Sequence, residues 1–318
     1  MRFITALALA VLFSTAHAQS YPNRPITMVV PFPPGGIADI TGRPFGAVMS
    51  RILGQPVIIE NKTGAGGAVG HAYAARAKPD GYTLMMALSS IVIIPVADEV
   101  NGRAPTYKMS DFTPIALVSA DPTVLMVPAD APWKTLKDLV EDAKARPGRI
   151  SYSSSGLYGT THTATEMFAQ AAGIQLLHVP YNGGGPAMKA GLANEVMFTV
   201  QSPGVADPHV RSGKMRLLGS WGGKRIPSLP DLPTMKEQGY DAEFYIWCAL
   251  FAPAGIPQDV AARLRTVSRQ VVQEQDFKRA MEGMNTPIDY RDGAAFQAFL
   301  EADAKRLDGV IRKMGKTQ

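Results

Sequence analysis

The sequence predicts an α/β chain folded as two lobes with a cleft between them, each lobe a mainly parallel sheet flanked by helices. Three observations carry this. Short apolar runs alternate with amphipathic helical patterns, the signature of parallel strands joined by right-handed crossovers. The alternation pauses between Ile91 and Asp111 and resumes after two extended segments, so there are two such units. Polar, glycine-rich loops fall at the carboxyl ends of the predicted strands, where open α/β sheets bind ligands.

In chain order, Ile26 to Val30 is the first strand and Pro31 to Asp39 the loop that follows it. A strand that breaks on proline and glycine and opens a helix points backbone N–H groups into one small space, which is anion-site geometry. Phe45, Val48, Met49, Ile52 and Leu53 form one apolar helical face, with Asp39 a plausible N-cap and Gly54 the stop. Pro44 implies a kink or a later helix start. Residues 56–60 are a strand, 61–67 a second glycine-rich loop, 68–77 a helix, and 82–87 a strand ending at Ser89 and Ser90.

Extended segments at 112–118 and 123–127 lead to the second unit. Its helices are expected at 135–145, where Thr135 can act as N-cap, and at 163–172, 186–192 and 205–211. Its strands are expected to start at Ile150 and to span 176–179, 196–200 and 215–218. Residues 225–233 are proline-rich and loop-like, and 244–251 form a strongly apolar extended run. Two helices follow, marked by Val260, Leu264, Val267 and Val271 and then by Phe296, Phe299, Leu300, Leu307, Val310 and Ile311. The lobes are expected to comprise 19–120 plus 246–318 and 121–245, with a possible return crossover near 222.

Arg2, the apolar run 3–13 and Ala16-His17-Ala18 read as an export signal cleaved near Ala18. That run is too short to span a bilayer. Cys248 is the sole cysteine, so no internal disulfide can form, and its apolar neighbours predict a buried thiol. The 32 basic and 27 acidic residues give +5, scattered rather than clustered, so nucleic acid is not an expected partner.

Gly64-Ala65-Gly66-Gly67-Ala68-Val69-Gly70 superficially resembles a dinucleotide fingerprint but lacks a ribose-binding acid, and tight helix packing explains it better. No G-x-S-x-G elbow or H-E-x-x-H pattern is present, and the histidines show no metal-ligand spacing. Neither a cofactor nor a metal is expected. Ser151, Ser153, Ser154 and Ser155 read as neutral hydrogen-bond donors, and His162 as a capping or scaffolding residue. Three glycines in Tyr181-Asn182-Gly183-Gly184-Gly185-Pro186 expose backbone amides suited to an anion.

Pro31-Phe32-Pro33-Pro34-Gly35-Gly36-x-x-Asp39 resembles the first-loop signature of the receptors of tripartite tricarboxylate transporters, the Bug family. Glu60 to Gly67 and Pro79 to Leu84 resemble two further signatures. Asp111 to Ala116, Val179-Pro180-Tyr181-x-Gly183, Pro208 to Arg216 and Leu250 to Gly255 continue the likeness in family order over the mature chain. The resemblance implies a periplasmic, monomeric Venus-flytrap receptor that closes on a small carboxylate and delivers it to membrane transporter subunits, with no bond made or broken. An exported enzyme in the same cleft and a sensory receptor are the alternatives. The ligand-binding residues it implies in the first lobe are Pro34, Gly35, Gly36, Ile37, Ala38 and Asp39, with Ser89 and Ser90. In the second lobe they are Ser154, Gly156, Tyr158, Gly159, Thr160 and Thr161, with Gly185, Pro186, Ala187, Gln201 and Ser202. Tyr158, Gly159, Met197 and Gln201 depart from family habit. An aromatic ring and neutral donors there suit a flat or apolar-bodied acid better than an amino acid. Gly36→Val is expected to impair binding with little loss of fold, by crowding the amides that approach the ligand.

Overall fold

The computed structural model describes residues 21–316. The predicted export signal lies outside these residues. The elements are β1 (Ile26–Val30), α1 (Ile37–Leu53), β2 (Val57–Asn61), α2 (Ala68–Ala75), β3 (Thr83–Leu88), α3 (Ser90–Val100), β4 (Phe112–Pro122) and β5 (Val124–Pro128). They continue with α4 (Leu136–Ala145), β6 (Ser151–Ser154), α5 (Thr160–Ala172), β7 (Leu177–Pro180), α6 (Gly184–Leu192), β8 (Phe198–Gln201), α7 (Pro203–Arg211) and β9 (Met215–Ser220). The chain closes with β10 (Tyr245–Pro253), α8 (Gln258–Gln273), α9 (Gln275–Gly283), β11 (Ile288–Asp292) and α10 (Gly293–Met314).

Two sheets form the two lobes. The first has strand order β11-β4-β10-β3-β1-β2 and the second β7-β6-β8-β5-β9. Both are mixed rather than mainly parallel: β1 runs parallel to β2 and β3, and β6 to β7 and β8, but β5 and β10 run antiparallel to their neighbours, and the edge strand β11, which returns from α9 of the same lobe, runs antiparallel to β4. For β5 and β10 the reason is topological. A strand arriving from the opposite lobe enters its sheet at the cleft end, against strands that finish there.

The chain crosses between sheets at 122–124 and again between β9 and β10. Three backbone hydrogen bonds tie the crossings together: Trp221 to Thr123 (2.9 Å), Phe244 to Trp221 (3.0 Å) and Thr123 to Phe244 (3.4 Å). The 225–244 segment stays with the second lobe, where Thr234 bridges Ser220 and the Trp221 indole N–H donates to the Ala164 carbonyl at 2.9 Å.

Helix α1 begins at Ile37 with Gly36 as N-cap, so Asp39 sits in the first turn instead of capping it. Pro44 lies inside that helix. Thr135 does cap α4, its hydroxyl accepting from the Asp138 N–H. Helix α3 replaces the expected pause after Ser90, and α9 and β11 add elements to the first lobe. Cys248 is a free, fully buried thiol, as its neighbours predict.

Candidate functional site

The first jaw of the cleft is the 31–36 loop and the start of α1. Its conformation is held from behind. The Asp39 carboxylate accepts from the Gly35 N–H (3.1 Å), from Arg43 Nε (3.0 Å) and from Asn61 Nδ2 (3.1 Å), and Asn61 also donates to the Phe32 carbonyl (2.8 Å). Burial pushes the Asp39 carboxyl upward, but the hydrogen bonds from Arg43, Asn61 and Gly35 outweigh it and hold the group below the usual range. Asp39 is therefore an ionised brace behind the loop, already committed to three donors.

The second jaw gathers three helix starts. Gly159, Gly183 and Ser202 are the N-caps of α5, α6 and α7. Thr161 Oγ1 accepts from the Ser155 N–H at 2.8 Å and donates to Ser155 Oγ at 3.1 Å, closing the 154–161 turn. Gln201 Nε2 donates to the Gly184 carbonyl (3.1 Å) and to Thr199 Oγ1 (3.2 Å).

Between the jaws lies a cavity of about 20 Å³, room for a water molecule or two. The first lobe lines it with Phe32, Gly36, Ile37, Ala38, Leu88 and Ile246. The second contributes Ser155, Thr160, Thr161, Gly184, Gln201 and Ser202. Of the residues predicted from sequence, Gly36, Ile37, Ala38, Thr160, Thr161, Gln201 and Ser202 line this space. Pro34, Gly35, Asp39, Ser89, Ser90, Ser154, Gly156, Gly159, Gly185, Pro186 and Ala187 do not line it. Leu88 and Ile246 are apolar wall residues within strands and Phe32 is one in the 31–36 loop; all three are indistinguishable in sequence from core.

Tyr158 lies elsewhere. Its backbone is left-handed (φ 53°), its ring is buried, and its hydroxyl accepts from Asn101 Nδ2 (2.8 Å) and donates to the Gly315 carbonyl (3.0 Å). That geometry ties the second-lobe loop to α3 and to the end of α10, away from the cavity.

The lobes meet glycine to backbone at two seams. A methyl group at Gly185 would stand 2.8 Å from the Pro34 carbonyl oxygen, and one at Gly183 2.5 Å from Pro33 Cδ. At the other seam, one at Gly156 would stand 2.9 Å from the Gly66 nitrogen. The Gly64-to-Gly70 motif thus serves close lobe contact, with Gly70 packed against Pro31.

A chain with this closed two-lobed site matches the model of the tripartite tricarboxylate transporter family receptor over residues 42–316. It belongs to that family. Among solved structures, the receptor is similar to the periplasmic binding protein BugD (32% identity, TM-score 0.85, 92% of this chain and 98% of that one). It is also similar to Rpa4515 of R. palustris with adipate (28%, TM-score 0.85, 92% and 97%). MatC of Rhodopseudomonas palustris with bound malate is a third (26%, TM-score 0.85, 92% and 100%).

The receptor's cavity is electrically unusual for an anion site. None of its lining residues is lysine, arginine or histidine. Four helices, α1, α5, α6 and α7, begin around it without a side-chain hydrogen bond at their N-caps. Their first-turn N–H groups and dipoles supply the positive potential. His162 is nearby but occupied: its Nδ1 accepts from the Tyr158 N–H at 3.0 Å, and its ring stacks on His178 at 4.0 Å. Burial, and then the neighbouring His178, push the His162 imidazole well below its ordinary value, so it is neutral. A larger concavity of about 990 Å³ lies on the outer face of the first lobe, beside Arg24, Tyr73 and Arg76. It includes Thr27 and Thr83, at the amino ends of strands, opposite to the cleft.

Proposed function

We propose that this receptor captures a small mono- or dicarboxylate in the periplasm and presents it to the membrane subunits of a tripartite transporter. The single observation that carries the reading is the convergence of four helix N-termini, free of side-chain caps, on a cavity lined by no cationic side chain. Backbone N–H groups and hydroxyls suit a carboxylate, and closure strengthens each contact by excluding water. The residues proposed to touch the ligand are Gly36, Ile37, Ala38, Thr160, Thr161, Gly184, Gln201 and Ser202, with Phe32, Leu88 and Ile246 against its carbon body. The proposed lobe boundaries fall at 121–124 and 221–245, after an export signal cleaved near Ala18. The receptor is proposed to act as a monomer; it is also proposed to act without chemical turnover, because the hydroxyls lining the cavity have no histidine in the lining to activate them.

A cavity of about 20 Å³ is a shut jaw, so ligand entry requires the lobes to part. The test is thermal stabilisation of ligand-stripped protein by adipate, malate and a wider panel of aliphatic and aromatic carboxylates. At a hundred times the dissociation constant the expected gain is about 2.7 kcal/mol. No shift with any member of the panel overturns the reading.

A further inference from the structure

Asp121 is a carboxyl group without an explanation in the fold. It lies on β4 one residue before the crossover, is fully buried, and neither of its oxygens has a hydrogen-bond partner among the described residues. In the antiparallel pair with β10 it stands directly opposite Ile246. Opposed residues share a face of the sheet, with Cβ atoms about 5 Å apart. Ile246 lines the cavity, so Asp121 stands immediately behind that wall, at the cleft end of the sheet.

It is not alone there. The hydroxyls of Ser89, Ser202, Thr123 and Ser220 are also buried and unpartnered. All four lie at the cleft ends of strands or at the crossover. Buried polar groups are almost always satisfied, and each exception asks for a ligand, a water or a function.

Resting on the receptor reading above, we propose that Asp121 in its neutral form donates a hydrogen bond to the far carboxylate of a dicarboxylate ligand. In the parted lobes solvent reaches Asp121 and lets it ionise, so closure on the ligand takes up one proton from solvent. An O–H donor to a carboxylate makes a short, charge-assisted bond, whereas an ionised Asp121 would repel the same ligand.

The surroundings fit a neutral acid. Burial raises the Asp121 carboxyl well above its ordinary value, and nearby Ser119 offsets this only in part. The titratable group facing it from β10 is Cys248, whose thiol burial also keeps neutral. On α1, whose Thr41 lies against Cys248, the charges are Asp39 and Arg43, which pair with each other at 2.8 Å, and Arg51, which pairs with Glu274 and Asp276 at 2.7 Å. On β11, Asp289 follows Ile288, the partner of Ser119, and is paired with Arg291 at 2.8 Å, while Arg291 and Asp292 stand opposite Leu117 and Ala116, further along β4. Asp303 of α10 is bonded to Trp247 on the other face of β10.

The experiment is calorimetric titration of the full-length mature protein with adipate and malate at pH 6.5, in phosphate, imidazole and Tris. The slope of the observed enthalpy against the buffer's ionisation enthalpy counts protons. The expected result is about one proton taken up per dicarboxylate, none with propionate, and none with either dicarboxylate in Asp121→Asn. Wild-type affinity is then expected to fall by up to tenfold per pH unit where free Asp121 is ionised and the complex protonated, with a flat profile in the variant. If Asp121→Asn does not fold, Asp121→Ser serves the same comparison. A wild-type slope of zero, or an equal slope in the variant, overturns the assignment of Asp121 while leaving the receptor reading intact. Failure of every carboxylate to bind overturns both.

Discussion

At the scale of single residues, two buried aspartates play opposite parts. Asp39 is ionised and satisfied, so its contribution to stability is full above the unfolded value of about 3.9 and is lost as pH falls through the depressed folded value. Asp39→Ala is expected to cost about 1–3 kcal/mol at pH 7 by urea unfolding, because it strands the donors that now converge on it. It should also weaken carboxylate binding by loosening the 31–36 loop. Asp121 runs the other way. Its folded value is raised, so the unfolded chain ionises first and stability declines as pH climbs from about 4 toward the folded value. Asp121→Asn is therefore expected to gain on the wild type as pH rises through that window, with the difference vanishing near pH 4. A constant difference from pH 4 to pH 8 would contradict that assignment of its charge. Tyr158 shows why the residue scale was only partly legible in sequence. Its place in a cleft-end loop could be read, but a left-handed φ of 53° turns the ring toward Asn101 and Gly315. No periodicity encodes that rotation.

At the scale of elements, the glycine loops do more than bind. Gly185 lies in α6 with ordinary helical backbone, and a methyl there would meet only the opposite lobe, 2.8 Å from the Pro34 carbonyl. Gly185→Ala should leave ligand-free stability equal or higher by up to about 1 kcal/mol, since alanine is the better helix former. Affinity for the best-bound carboxylate should fall at least tenfold, because the jaw cannot shut. Gly309→Ala, in α10 far from the cleft, is the control: its methyl would find nothing within 4 Å, and binding should change little. Equal affinities in the two variants would argue against closure through this seam. The elements bordering the cleft were readable because strand-to-helix loops carry their own glycine and proline chemistry. Helix α3 was not. Ile91, Val92, Ile93 and Ile94 are all buried, so the segment is apolar on every side and has no 3.6-residue stripe, and Pro95 reads as a breaker. Strand β11, Ile288 to Asp292, is half-buried throughout and carries three charges, which leaves no alternation to detect.

At the scale of the molecule, two crossings, at 122–124 and between β9 and β10, join the sheets, with α10 reaching from the first lobe to α5 of the second. This layout was legible as two α/β units, but the mixed sheets were not, since strand direction depends on which lobe a strand arrives from. Adding a bound carboxylate should raise the melting temperature and leave the scattering radius close to that of the shut form, with the ligand-free protein larger. A radius unchanged by ligand would mean that the closed form is already dominant. The glycine seams have a kinetic consequence. Surfaces that meet through backbone freeze few rotatable side chains on closing, so little conformational entropy is lost and few interlocked groups must disengage on opening. Nothing in the jaw itself acts as a ratchet. How long a ligand resides should therefore track the number of N–H and hydroxyl contacts it makes, and a poorly matched acid should leave quickly, which gives the receptor a way to discriminate in time as well as in affinity.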